Sequence, residues 1–372
     1  MQSRPYPLLS AVPGVQAHLT GLHFGPADAP RKVYIQAGLH ADEIPGMLVA
    51  VVLQERLKAL EAAGQLRAAV TLVPVANPMG LAQTVLGSPV GRFELGSGQN
   101  FNRGFPMLHA EIAEAIEGRL GDDGARNAAL IRRAMADALD AIVPANPMDS
   151  LHKTLMRLAH DADIVLDLHC SRDSPMHLYT GEAIWAEVEP LARYLGAKAS
   201  LLAIDAGGQS FDEAFSTTWY RLQQQFGDRF PIPHGSLAST IEHRGQRDVS
   251  WELATQDAGA ILDYLTHIGC IAGQAPPPPP LPHPATPLAG SEYLYAPVPG
   301  VVVLRAAPGD LIEAGQTLLD IVDPVTAVRT PVSAHTRGVL FMARDVRFAR
   351  QGEPLARIAG ATASRAGYLL SA

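Results

Sequence analysis

A histidine and a glutamate stand three positions apart, directly after an apolar run of the sequence. His40 and Glu43 follow the strand-like segment 33–37 and precede a long helical pattern. On a tight turn or a first helical turn, this spacing aims a ring nitrogen and a carboxylate at the same point. The pair therefore predicts two of the ligands of a metal site.

A third ligand is available at the end of a second strand-like run. Residues 164–168 are apolar except for Asp167, and the run stops at His169. Two histidines, one carboxylate and an open fourth position form a hydrolytic zinc centre, in which the pKa of bound water falls from about 15.7 to roughly 7. Either histidine alone is more simply explained as a structural residue. Their combination predicts one Zn²⁺ per chain.

The composition limits the kinds of partner. The chain has 372 residues, of which 47% are apolar, and its 29 basic and 37 acidic side chains give a formal net charge of −8. A chain of this length has room for two domains with real cores. The acidic balance offers no basic surface for nucleic acid or for an anionic membrane. We expect small-molecule partners, and the sequence leaves open whether copies of the chain form a homo-oligomer.

The cysteines and the N-terminus indicate the compartment. Cys170 and Cys270 are the only cysteines, too few for a disulfide framework. Residues 1–17 contain prolines where a secretory signal would need an unbroken apolar stretch, and no run reaches membrane-spanning length. We therefore expect a cytoplasmic protein that does not bind membranes.

Strand-like and helical patterns alternate from about residue 31 to residue 270. The helical patterns cover 47–63, 127–142, 149–159, 183–195, 216–226 and 251–267, and further strand-like runs cover 70–75, 177–180, 200–204 and 237–241. This alternation predicts an open α/β sheet, whose functional site lies beyond the carboxyl ends of the strands.

The composition changes abruptly between residues 273 and 290. Pro276 to Pro280 form an unbroken run, and such a segment is stiff and extended. We therefore expect a catalytic domain over residues 1–272, a Pro-rich linker over 273–290 and a small β domain over 291–372. Short apolar runs between Gly and Pro turns predict the all-β structure.

The C-terminal runs APVPGVVV, PGDLIEAGQTLLDIVDP and TPVSAHTRGVL resemble the biotinyl/lipoyl-like barrel-sandwich fold. Carriers of that fold need a lysine on the hairpin that holds the cofactor. The lysines of this chain all lie upstream, at Lys32, Lys58, Lys153 and Lys198. The module therefore cannot serve as a swinging arm.

Five motifs of the first 270 residues stand in the order found in one enzyme family. They are GLHADEIPG, VPVANPMG, RFELGSGQNFNRGFP, DLH and TIEH. Together they resemble the succinylglutamate desuccinylase/aspartoacylase family of zinc hydrolases, which share the zinc-carboxypeptidase fold. The resemblance implies a mixed sheet flanked by helices. It also implies a zinc-dependent amidohydrolase that cleaves the acyl group from a small N-acylated amino acid or related amine.

The resemblance further implies roles for individual residues. His40, Glu43 and His169 match the zinc ligands of the family. Glu242 matches the glutamate that acts as general base and then passes the proton to the leaving amine. A carboxylate placed to take and return one proton contributes roughly a hundredfold to ten-thousandfold in rate.

Cationic and amide side chains complete the implied site. Arg92 falls where the family has an arginine that polarises the scissile carbonyl, a contribution on the order of 3 kcal/mol. Asn102 and Arg103 match the pair that holds the substrate carboxylate, and a planar guanidinium suits that task because it can make two parallel hydrogen bonds. The substrate is therefore expected to carry a carboxylate. Without the zinc ligands, the glycine-rich segment 92–106 would more simply be a solvated turn.

Some positions depart from the family pattern. Ser97 stands where the family often has an acidic residue, and Cys170 and Ser171 stand where it has a threonine-glycine pair. Gly245 lies further from Glu242 than the Glu-x-Gly of the family would put it. None of these departures removes a ligand, but they leave the identity of the substrate open.

Two alternatives to a deacylase remain at this point. A zinc metallocarboxypeptidase that acts on peptides would use the same ligands, so the sequence does not separate the two activities. A non-catalytic binding protein on a hydrolase scaffold would be expected to lack part of the constellation, whereas all of the expected positions are filled.

Overall fold

The structure, a computed structural model, describes residues 1–370. Strands and helices alternate as far as residue 267, and strands with short turns follow. None of the helices within the described residues is long and apolar enough to cross a membrane. The helices are α1 Pro45–Ala62, α2 Pro78–Leu81, α3 His109–Ile116, α4 Gly124–Ala141, α5 Pro147–Ala159, α6 Trp185–Leu195, α7 Phe211–Phe226 and α8 Trp251–His267.

A nine-stranded mixed sheet forms the centre of the larger part of the chain, with strand order β1-β2-β4-β3-β7-β10-β8-β9-β11. The strands β5 and β6 form a separate hairpin. In chain order the strands are β1 Gln2–Pro7, β2 His18–Phe24, β3 Lys32–Ala37, β4 Ala69–Val73, β5 Thr84–Val85, β6 Ser88–Pro89, β7 Ile164–Ser171, β8 His177–Gly181, β9 Ala199–Ala203, β10 Leu237–Gly245 and β11 Thr286–Pro287.

Helices cover both faces of this sheet. Apolar residues of α1, α6 and α8 pack on one face, and those of α3, α4, α5 and α7 pack on the other. Strand β3 is parallel to both β4 and β7, as expected for strands joined through helices. The predicted α/β architecture with a mixed sheet flanked by helices is confirmed.

Successive side chains of β7 point to opposite faces of the sheet. Leu166 and Leu168 belong to the core beneath α1 and α8, whereas Val165 belongs to the core on the other face. Because side chains of a strand alternate, Asp167 and His169 share the face of Val165. The strand therefore delivers two polar groups to one side of the sheet, near its carboxyl end.

Strand β10 runs parallel to β7 and brings Glu242 into register with His169. The sequence predicted a strand over residues 237–241, but β10 continues to Gly245 through a register shift. Helix α7 likewise begins earlier than the predicted residue 216. Ser210 and Glu213 form a reciprocal capping box there, which fixes the helix start before Phe211.

The C-terminal part of the chain forms two four-stranded antiparallel sheets. We call this part, residues 291–360, the β module. An apolar cluster that includes Leu319, Ile321 and Leu355 lies between its sheets. Its strands are β12 Ser291–Tyr295, β13 Gly300–Leu304, β14 Leu311–Ile312, β15 Thr317–Val322, β16 Arg329–Ser333, β17 Gly338–Ala343, β18 Phe348–Ala349 and β19 Pro354–Gly360.

The Pro-rich segment contains no helix or strand before β11 and lies against the larger part of the chain. Arg193 of α6 donates hydrogen bonds to the carbonyl oxygens of Pro278 and Pro279, at 2.8 and 2.6 Å. Strand β11 then joins the edge of the main sheet beside β9. The segment therefore holds the β module close to the sheet.

An apolar seam joins the β module to the main sheet. Leu201 of β9 and Leu288 pack there with Phe341 and Met342 of β17. Beside the seam, Asp173 and Ala343 form an antiparallel backbone bridge. The chain segment that follows His169 is therefore attached directly to the β module.

Candidate metal centre and active site

His40, Glu43 and His169 converge on one point. One ligand atom from each residue can be chosen so that all lie within 4.8 Å of one another. Nδ1 of His40 is 3.0 Å from Oε1 of Glu43, and Nδ1 of His169 is 2.7 Å from Oε2 of the same glutamate. All of these side chains are buried. Two imidazole nitrogens and one carboxylate form a recognised donor set for a catalytic zinc ion.

The turn between β3 and α1 explains how His40 and Glu43 meet. Gly38 opens the turn with a φ of 70°, a conformation that glycine adopts without steric cost. The N–H of Glu43 donates a 3.0 Å hydrogen bond to the carbonyl oxygen of His40, which closes the turn. Pro45 then starts the helix, where its missing N–H is not needed.

The ring nitrogens that face away from Glu43 have partners of their own. Nε2 of His40 donates to Oδ1 of Asn100 at 2.7 Å, and Nε2 of His169 lies 2.9 Å from Oδ2 of Asp167. Metal-binding histidines ordinarily donate their second N–H to such acceptors, and this leaves the first nitrogen directed at the metal. The residues present therefore fit a metal ion bound through both Nδ1 atoms.

Asn100 and Asp167 were not among the predicted site residues. For Asp167 the sequence did carry a signal, since residues two apart in a strand share a face and Asp167 stands two positions before His169. Gln36 holds the other oxygen of Asp167 through a 3.0 Å hydrogen bond. For Asn100, which lies in an irregular loop, spacing gave no comparable indication.

The pKa values of the clustered residues are shifted in different directions. Burial, followed by the charge of Arg92, lowers the pKa of His40 to about 4. Burial opposes charge on His169, but Asp167 and Glu43 raise its pKa well above the usual value. Burial would raise the pKa of Glu43, yet both histidines hold it well below its usual range. The cluster thus offers a neutral imidazole and an ionised carboxylate.

Arg92 lies directly beside this cluster. Its Nη1 is 3.1 Å from Oε1 of Glu43 and 3.2 Å from Nδ1 of His40. The side chain is 36% exposed, so the guanidinium borders open space. Arg92 can therefore reach both the ligand cluster and a molecule bound next to it.

Glu242 borders the same cavity, which has a volume of about 410 Å³ and is also lined by His40, Glu43 and His169. Burial, and then the charge of Glu43, raises the pKa of Glu242 to about 7. Among the described residues, its Oε2 has no hydrogen-bond partner. A carboxyl group in this state can exchange a proton near neutral pH.

Asn102 and Arg103 line the cavity on the side of α7. Oδ1 of Asn102 accepts a 2.8 Å hydrogen bond from the N–H of Phe211, which fixes the orientation of the amide. Nη1 of Arg103 donates to the carbonyl oxygen of Asn102 at 2.7 Å. The structure therefore brings all of the predicted site residues to one cavity.

Several other residues that line the cavity were not predicted from the sequence. Tyr179 comes from β8, and Asp212 and Glu213 come from the first turn of α7. Met342 and Arg357 belong to the β module. Their place in the cavity depends on how the module packs on the sheet, and no local pattern reports such long-range packing.

Comparisons with known proteins agree with this geometry. Residues 29–141 match the family model of the succinylglutamate desuccinylase/aspartoacylase catalytic domain. A search of the curated proteins gave no significant match.

Solved structures resemble the chain over nearly its whole length. A protein from Shewanella amazonensis described as a member of this family is 26% identical, with a TM-score of 0.83 over 96% of this chain and 98% of that chain. A second, from Shewanella frigidimarina, is 24% identical, with a TM-score of 0.86 over 96% and 97%. A third, from Rhodobacter sphaeroides, shares the fold at 16% identity, with a TM-score of 0.66 over 96% and 94%. Residues 29–141 thus resemble the catalytic domain of the succinylglutamate desuccinylase/aspartoacylase family, and nearly the whole chain shares its fold with solved structures described as members of that family.

Proposed function

We propose that the protein is a zinc-dependent deacylase that releases the acyl group from a small N-acylated amino acid or related amine. The observation that carries the proposal is the convergence of His40, Glu43 and His169 on one point, with Glu242 in the same cavity. Imidazole ligands favour zinc over hard cations such as Mg²⁺. When bound, zinc supplies Lewis-acid chemistry that activates water and polarises a carbonyl oxygen.

In this proposal Glu242 moves the proton. Its carboxylate takes a proton from the water that attacks the amide carbonyl and then delivers it to the leaving nitrogen. The raised pKa of about 7 supports this role, because a group that accepts and returns a proton works best when its pKa lies near the working pH.

Arg92 is proposed to stabilise the negative charge that develops on the carbonyl oxygen. Its guanidinium lies at the ligand cluster and is partly exposed to the cavity. A positioned cationic donor at this place contributes on the order of 3 kcal/mol to the transition state.

Asn102 and Arg103 are proposed to hold the substrate carboxylate. Both border the cavity, and Arg103 can present N–H groups in a fixed plane. Met342 and Arg357 of the β module also line the cavity, and its limited volume of about 410 Å³ favours a small substrate over a polymer.

We further propose the division of the chain into a catalytic domain at 1–272, a linker at 273–290 and a barrel-sandwich-like β domain at 291–372. Two packed antiparallel sheets are compatible with that fold. We also retain the cytoplasm as the expected compartment, because Cys170 and Cys270 are free, buried thiols.

The test is a substrate screen with zinc-loaded protein. N-acetyl and N-succinyl derivatives of the amino acids are incubated with the protein, and the released amine is quantified. The same preparation is offered peptides with free carboxyl ends, and its metal content is measured. We expect turnover of at least one N-acyl amino acid and about one zinc per chain.

Other outcomes would contradict the proposal in different ways. Faster turnover of peptides than of every N-acyl amino acid would favour a metallocarboxypeptidase. A purified protein that holds no metal tightly and hydrolyses neither class would favour a binding protein.

A further inference from the structure

Strand β10 contains a bulge immediately after Glu242. Glu242 is paired with His169, but the next pair on β7 joins Gly245 to Ser171, so β10 holds one extra residue. Within the bulge Arg244 has a φ of 64°, in the left-handed region that a residue with a Cβ rarely adopts. Position 244 is where the Glu-x-Gly pattern of the family would place its glycine. This chain therefore puts an arginine into a conformation that suits glycine.

Asp257 of α8 holds this unusual residue. Its Oδ2 accepts a 2.8 Å hydrogen bond from Nη1 of Arg244, and its Oδ1 accepts a 2.9 Å hydrogen bond from Nη2. The carboxylate also accepts a 2.8 Å hydrogen bond from Nδ1 of His243. Asp257 and His243 are buried. Burial would raise the pKa of Asp257, but the hydrogen bonds from His243 and Arg244 lower it, so the carboxylate is ionised.

The backbone of the bulge is also attached on its other sides. Ser174 donates a 2.8 Å hydrogen bond to the carbonyl oxygen of Arg244. The N–H of Gly245 donates to Oδ2 of Asp248 at 2.9 Å. A Cβ on residue 245 would lie 2.4 Å from the carbonyl oxygen of Arg172, so this position requires glycine. An unfavourable backbone conformation persists when its surroundings determine it in this way, and such positions cluster at functional sites.

We propose that Asp257 is a positioning residue for Glu242. By holding Arg244 and His243, it fixes the bulge in the conformation that turns the Glu242 carboxylate into the cavity beside His169. Successive strand residues face opposite ways, so His243 points towards α8 when Glu242 points into the cavity. The inference rests on the proposed function of Glu242 as the proton carrier.

The first test is Asp257→Asn, which keeps the size of the side chain and removes its charge. A displacement of about 1 Å at a reacting group can cost about a hundredfold in rate. We expect kcat to fall about 10- to 100-fold, with KM changed less than about threefold and with zinc content unchanged. A kcat within about twofold of the wild-type value would overturn the proposal.

The second test is a rescue that depends on one methyl group. Arg244→Gly is added to Asp257→Asn, and Arg244→Ala is added in a parallel variant. Both remove the arginine that lost its charged partner, but only glycine adopts the left-handed conformation without steric cost. We expect the glycine variant to recover most of the lost kcat and the alanine variant to recover none. Equal kcat values for the two double variants would overturn the proposal.

The control is Asp320→Asn in the β module. Asp320 is also a buried carboxylate on an arginine, with Nε of Arg305 at 2.6 Å. This variant should keep the wild-type kcat per folded molecule. A loss of kcat as large as that of Asp257→Asn would show a general effect of lost ion pairs and would contradict the proposal.

A structural readout separates this inference from the deacylase proposal. If the zinc-loaded wild-type protein hydrolyses no N-acyl amino acid, kcat cannot be measured. The position of the Glu242 carboxylate in crystal structures of the same variants then serves as the readout. The Glu242 carboxylate should be displaced by about 1 Å or more in Asp257→Asn and in its alanine double variant, and restored in the glycine double variant. A carboxylate that stays in place in all of them would overturn the positioning role.

Discussion

Glu242 and His169 are register partners on adjacent parallel strands, so they leave the sheet side by side. Adjacent strands lie about 4.8 Å apart, and this spacing is set by the backbone hydrogen bonds of the ladder. The spacing between a proposed metal ligand and the proposed base is therefore set by the backbone pairing of β7 and β10. The remaining metal ligands come from the turn after β3, which is the neighbour of β7 on its other side.

Glu242→Gln should separate catalysis from metal binding. The substitution keeps the shape of the side chain but removes its ability to take up a proton. We expect kcat for an N-acyl amino acid to fall by about a hundredfold or more, while zinc content stays at the wild-type level. Glu252→Gln, on the exposed first turn of α8, serves as the control and should leave kcat unchanged. Near-wild-type turnover in Glu242→Gln would remove this residue from the mechanism.

Asp167→Asn should weaken metal binding without removing a ligand. The asparagine carbonyl can still accept the hydrogen bond of Gln36, but the charged acceptor opposite Nε2 of His169 is lost. Loss of such an outer partner typically reduces metal affinity about 10- to 100-fold. Competition with a chromogenic chelator measures the zinc dissociation constant. An unchanged constant would mean that Asp167 does not orient His169.

Much of the site was predictable from the sequence because its residues follow strands. His40 follows β3, and His169 and Glu242 lie near the ends of β7 and β10. Apolar strand patterns are local, and the carboxyl ends of parallel strands meet at one edge of a sheet. The sequence pattern therefore predicts that these residues lie together at the carboxyl edge of the sheet.

The parts that were missed depend on long-range contacts or irregular backbone. The bulge at Arg244 extends β10 beyond its predicted end, since a register shift has no signature in hydrophobic alternation. Met342 and Arg357 reach the cavity only through the packing of the β module on the main sheet. Asn100 is placed by a loop that lacks any period. Such features require the tertiary structure.

Arg103→Ala should affect binding of the substrate more than the chemical step. A charge-assisted hydrogen bond contributes about 1.5 to 3 kcal/mol, so we expect KM for an N-acyl amino acid to rise about 10- to 100-fold, with a smaller change in kcat. The matched control is the same substrate with its carboxylate converted to an amide. Wild type and variant should handle this neutral substrate about equally. A KM for the carboxylate substrate that does not change would exclude Arg103 from carboxylate recognition.

His177→Asn should reduce the acid sensitivity of the fold. The buried ring contacts Tyr179 of β8 on one side and Phe341, a residue of the β module, on another. Burial lowers its pKa from 6.5 to about 4. The folded state therefore binds this proton less readily than the unfolded state. The stability contribution is complete above about pH 6.5 and is lost as the pH falls towards 4.

Unfolding in urea at pH 7.5 and pH 5 measures this effect. Between these values His177 should account for about 2 kcal/mol of the decrease in the free energy of unfolding, at 1.36 kcal/mol per pKa unit. The His177→Asn variant should lose correspondingly less stability over this interval than the wild type. The control His18→Asn makes the same substitution at an exposed histidine of β2. If both variants lose the same stability as the wild type between these pH values, His177 does not bind its proton differently in the folded and unfolded states.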